Sequence, residues 1–99
     1  MEKTEEVFYL QTLKAEYNRR KETNPMYSVR AFALNLDVDA SNLSKILNDK
    51  LLPTFETADK ICRNLKLDSE IAKEFMNSIA EEKACVELYK LNPDYTNCH

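Results

Sequence analysis

Between Asp39 and Lys50 the chain reads DASNLSKILNDK, and its polar and apolar residues separate at helical spacing. Leu43, Ile46 and Leu47 make one stripe. Ala40, Ser41, Asn42, Ser44 and Lys45 fall on the remaining surface. An amide, two hydroxyls and an ammonium on one short helix are hydrogen-bonding groups without a nucleophile–base pair. Their chemistry is recognition rather than bond breaking. Elsewhere the chain has a single histidine, His99, and nothing in the sequence places a cysteine or serine to suggest a nucleophile pair with it. Cys98 and His99 offer two adjacent metal-type donors, too few for a closed site. Cys62 falls on an apolar stripe with Ile61 and Leu65 and reads as a core residue. No catalytic residue, metal ligand or cofactor is expected.

The elements that present this surface follow from the flanking sequence. The segment SVRAFALNL opens on Ser28, a good helix cap, and puts Phe32, Ala33 and Leu36 on one face. DVD forms a turn with Val38 inward, and Asp39 caps ASNLSKILN. Two short capped helices around a three-residue turn are the pattern of a helix-turn-helix, with Ala33 small where the helices must approach. On such a unit the exposed N-terminal face of the second helix meets base edges. Upstream, Thr4 caps EEVFYLQTLKAEYNRRK, whose Val7, Leu10, Leu13 and Tyr17 form a stripe before Pro25 breaks the helix. Downstream, Thr54 caps FETADKICRNL, with Phe55, Ala58, Ile61, Cys62 and Leu65 at helical spacing. Asp68 caps a fifth helix from about Ser69, carrying Ile71, Phe75, Ile79, Val86 and Tyr89 and ended by Pro93. DYTNCH reads as a frayed tail.

Composition bounds the class. Ninety-nine residues, 43% of them hydrophobic, suit one small domain with one core. The chain contains no glycine, which disfavours phosphate-cradling loops and tight hairpins and points to an all-α fold. No apolar run reaches the roughly 18 residues of a membrane span, and MEKTEEVFYLQ lacks the layout of a signal peptide. Three cysteines, odd in number and not closely paired, suit a reducing cytoplasm. The net charge of −3 is unevenly spread. Residues 28–67 carry six basic and five acidic side chains, whereas residues 68–99 carry three and seven. The excess acidity therefore lies beyond the two short helices.

Residues 28–67, including LLPTFETADKICRNLKL, resemble the Cro/repressor-type (Xre-like) helix-turn-helix domain, a five-helix lambda-repressor-like fold. The resemblance extends back through AEYNRRKETNPMYSVRAFA to a bacterial subfamily with a long first helix, and covers roughly residues 8–80. It implies a DNA-binding transcriptional regulator. Ala40, Ser41, Asn42 and Lys45, with Ser44 beside them, stand where bases are contacted, Asn suiting adenine and Lys guanine. Ser28, Asn48 and Lys50 match phosphate-contacting positions, with Arg30 and the basic cluster Arg19 to Lys21 as flanking candidates. Three positions depart from that pattern. Asp37 and Asp49 occupy places where such domains commonly have glycine, and Asp39 caps where Ser or Thr is usual. Aspartate tolerates the left-handed conformation better than most residues, but three carboxylates near a phosphate backbone oppose binding.

Double-stranded DNA is the expected partner, bound by a homodimer, with no membrane and no small-molecule ligand. The apolar pattern alone fits a helical protein-interaction module equally well. The acidic face of the fifth helix (Glu70, Glu74, Glu81, Glu82, Glu87) reads as solvated. Val86, Leu88, Tyr89 and Leu91 supply more apolar surface than a lone terminal helix needs, and are the expected dimer seam.

Overall fold

A computed structural model describes residues 6–91, with the backbone alone at Tyr89. Thr4, Pro93, Cys98, His99 and the Tyr89 side chain, all singled out above, lie outside what is described. Five α-helices, and no strands among the described residues, follow in order: α1 Phe8–Thr23, α2 Val29–Leu36, α3 Ala40–Leu47, α4 Phe55–Asn64 and α5 Ser69–Leu91. The all-α expectation holds, and α5 runs unbroken for 23 residues. Packing pairs α1 with α5 and α3, α2 with α3 and α4, and α4 with α5.

Four of the expected caps form. Ser28 Oγ accepts from the Ala31 amide at 3.1 Å, Asp39 Oδ2 from Asn42 at 2.9 Å, Thr54 Oγ1 from Thr57 at 3.1 Å and Asp68 Oδ1 from Ile71 at 2.9 Å. Each satisfies an amide that the first turn leaves without a carbonyl. The start of α1 differs from the sequence expectation. It begins at Phe8 rather than just after Thr4, with Val7 as an extended cap residue whose side chain makes no capping bond. The cap comes from another element. Ser78, buried on α5, accepts from the Tyr9 amide at 3.1 Å and donates to the Phe75 carbonyl at 2.8 Å. Ser78→Ala leaves the Tyr9 N–H buried without that acceptor, and is expected to cost about 1–3 kcal/mol in thermal or denaturant unfolding. A loss within a few tenths would show that water replaces the hydroxyl.

Three helices end in the same way without glycine. Asp37, Asp49 and Lys66 adopt left-handed backbone conformations, with φ of 61°, 60° and 57°. After each, two amides turn back into the preceding helix: Val38 to Ala33 and Asp37 to Leu34, Lys50 to Lys45 and Asp49 to Ile46, Leu67 to Cys62 and Lys66 to Arg63. This is the Schellman arrangement, in which glycine normally holds the left-handed position. The two aspartates were legible as glycine substitutes; Lys66 was not. A lysine there carries roughly 1–2 kcal/mol of strain, of which glycine's extra freedom in the unfolded chain offsets about half. Lys66→Gly is expected to stabilise the fold by about 0.5–1 kcal/mol, read as a melting temperature a few degrees higher.

The core joins Tyr9, Leu10 and Leu13 of α1 to Phe32, Ala33 and Leu36 of α2. Leu43 and Ile46 of α3, Ala58, Ile61 and Cys62 of α4, and Phe75 and Ile79 of α5 complete it. Burial holds the Cys62 thiol up at about 11, with Asp59 adding to the shift, so it is an inert core group. Three residues of the apolar stripes are exposed on this chain, Val86 among them as a residue of the expected dimer seam. Phe55, at 47% exposure, is the first residue of α4 and lies under the Lys83 ammonium, 5.2 Å from the ring centroid. Ile71 occupies the first turn of α5, and Val86 sits in its last third, away from the buried stretch between Phe75 and Ile79. Cys85 is disulfide-bonded, which departs from the expectation of unpaired thiols.

Candidate nucleic-acid interface

α2 and α3 are eight-residue helices separated by Asp37, Val38 and Asp39. Both are too short to persist alone, so packing of Phe32, Ala33, Leu36, Leu43 and Ile46 holds them. Burying that stripe turns the opposite side of α3 outward. Ser41, Asn42 and Lys45 are exposed there, while Ala40 and Ser44 are half-buried at its margins. Among the described residues no side chain bonds to those of Ser41, Asn42 or Lys45, which leaves their polar groups for solvent or a partner.

The expected phosphate positions divide in two. Ser28 and Arg30 are exposed at the start of α2; the Ser28 oxygen accepts from Ala31, and its hydroxyl hydrogen remains a donor. Asn48 and Lys50 are exposed beyond α3, and Asn48 Nδ2 donates to the Ser44 carbonyl at 2.9 Å. Arg30, Lys45 and Lys50 have no ion-pair partner among the described residues.

The basic cluster at the end of α1 is engaged within the fold. Arg19 and Arg20 both bond Glu16, and the Arg19 hydrogen bond, followed by that of Arg20, holds the Glu16 carboxyl below its ordinary range. Arg20 also donates to Tyr27 Oη at 3.1 Å and Asn35 Oδ1 at 3.2 Å, with its guanidinium 5.4 Å from the Phe32 ring centroid. Lys21 donates to the carbonyls of Tyr27 and Pro25. Arg20 and Lys21 tie α1 to the loop before α2, and Arg20 ties it to α2 itself, whereas Arg19 pairs within α1.

The three aspartates also have internal roles. Asp39 is bonded to the Asn42 amide. Asp37 stands 3.9 Å from the Lys60 ammonium of α4. The Asp49 field falls on Tyr9, whose hydroxyl is pushed up to about 12 first by burial, then by Asp49 and Glu82. No residue of α3 itself is acidic.

A groove of about 260 Å³ brings α1, α2 and α3 together. Val29 and Leu47 are part of its apolar lining, and Lys14, Asn18, Ser44 and Asn48 are among its polar lining. Lys14 and Asn18 were not legible as site residues, because nothing in one helix's sequence says which flank adjoins another. Among the described residues no group of three or more His, Cys, Asp or Glu is placed to hold a metal, and no helix is long and apolar enough to cross a membrane. Compared with protein-family models, curated proteins and solved structures, the chain matches none.

Proposed function

We propose that this chain is a sequence-specific DNA-binding regulator of the lambda-repressor-like, helix-turn-helix kind, acting as a homodimer with α3 in the major groove. One observation carries the reading. The solvent face of α3 holds an amide, a hydroxyl and an ammonium with no side-chain partner among the described residues, on a helix fixed by its buried stripe. Asn and Lys are suited to adenine and guanine edges, and half-buried Ala40 to a thymine methyl. Ser28, Arg30, Asn48 and Lys50 flank that face as phosphate contacts. Asp37 and Asp39 are engaged by Lys60 and by an amide, which lessens their opposition to a phosphate backbone. Pairing suits the reading because a single short helix spans few bases and such units dock on paired half-sites.

Selection of bound duplexes from a random pool, run at low and moderate salt, tests the proposal. A shared sequence with two-fold symmetry is the expected product. Absence of any enrichment at low salt rejects DNA binding and favours a protein-interaction module, for which exposed Leu34, at 77%, is an available apolar contact on α2.

A further inference from the structure

The groove between α1 and α3 lies beside the base-reading face, with Ser44 at their shared margin, and its composition is specific. Tyr17, Val29 and Leu47 are part-buried and pack against the core, giving it an apolar floor. Above them Lys14 and Asn18 stand one helical turn apart on α1, with Ser44 on α3 and Asn48 at its C-terminal cap. The groove thus has cationic and amide donors on one wall, hydroxyl and amide groups on the other, and no carboxylate in its lining. An anion flanked by both helices fits that chemistry, and a strand beside α3 presents phosphodiesters at its edge.

We infer that this groove seats a phosphodiester of the DNA backbone, gripped from α1 by Lys14 and Asn18, and that Glu6 holds Lys14 in reserve until DNA arrives. The inference rests on the DNA-binding reading above. Lys14 Nζ is hydrogen-bonded to Glu6 Oε2, and both side chains are about two-fifths exposed, at 39% and 42%. An ion pair so placed is weak and exchangeable. Binding exchanges a carboxylate for a phosphate at the same ammonium, and the freed Glu6 returns to solvent. The α1 contact is independent of sequence, so it acts on every duplex alike.

Fluorescence anisotropy on a selected and an unrelated duplex, across a salt series, tests this. In Lys14→Ala the slope of log affinity against log salt is expected to shrink by about 0.9, with similar loss on both duplexes. Lys14→Gln, which keeps the aliphatic stem, should do the same, and circular dichroism should show both folded. Glu6→Gln is expected to tighten binding about two- to fivefold, the range set by a surface ion pair. Glu22→Gln, which removes an acidic charge from exposed α1 surface without freeing a cation, should change it less. Unchanged slopes in both Lys14 variants, while the wild type binds, overturn the phosphate contact alone. Equal effects of Glu6→Gln and Glu22→Gln overturn the reserve role. A wild type that binds no duplex at low salt overturns this inference together with the proposed function.

Discussion

Asn42→Ala and Lys45→Ala are each expected to weaken binding to the selected duplex by roughly 5- to 150-fold, the range for losing one directional base contact of about 1–3 kcal/mol. Binding to unrelated DNA should change little for Asn42→Ala, because an amide contributes nothing to counterion release. The two residues lie three apart on one helix face, so the double variant is expected to lose less or more than the sum rather than to add simply. Both side chains are exposed and without internal partners among the described residues, so melting temperatures should stay near that of the wild type. Equal losses on selected and unrelated duplexes would mean that α3 touches backbone and that sequence is read elsewhere.

Phe32→Ala is expected to lower the melting temperature by on the order of 20 °C, corresponding to about 3–5 kcal/mol for truncating a buried aromatic ring. Phe32 is fully buried on α2. Its ring centroid lies 5.5 Å from that of Tyr17 on α1 and 6.2 Å from that of Tyr27 in the loop before α2. Arg20 covers it while bonding Tyr27 and Asn35, and Tyr27 Oη donates to Asn35 Oδ1 at 2.5 Å. Removing the ring therefore opens a cavity and loosens the polar clamp above it. A domain of this size has about 5–15 kcal/mol in all, so the variant should be partly unfolded at modest temperatures. Phe32→Leu, which restores much of the volume, should recover most of the loss. A drop of only a few degrees in Phe32→Ala would show that the surrounding rings collapse into the space.

The two experiments separate two roles that sit on neighbouring helices. α2 supplies the buried anchor, and α3 supplies the exposed surface. Their caps and stripes are local features, decided within four residues of sequence, and for that reason they were legible. Ser28, Asp39, Thr54 and Asp68 each precede an apolar-periodic run and each accept an amide three residues on. Asp37 and Asp49 were legible as left-handed positions because they stand where the resembling domains commonly have glycine, and aspartate tolerates that region. Lys66 was hidden, since lysine gives no such signal; only Asp68 two residues later hints that the chain must turn at once.

By itself, then, the sequence determined an all-helical chain of five elements, the positions of four caps, and the side of α3 that faces solvent. These rest on short-range hydrogen bonds and on a 3.6-residue period that any packed helix must satisfy. Only the tertiary structure decided which charges remain available. Arg19, Arg20 and Lys21 look as basic in the sequence as Arg30, Lys45 and Lys50, but the first three are held by Glu16, Tyr27, Asn35 and loop carbonyls. Glu16 lies within four residues of both arginines, but Asn35 lies 15 residues from Arg20, a separation that no local pattern encodes. The same holds for Ser78 capping α1 from α5, and for Lys14 and Asn18 meeting Ser44 and Asn48 across a groove. Each depends on how helices distant in sequence are brought side by side, and burial of the shared core sets that arrangement.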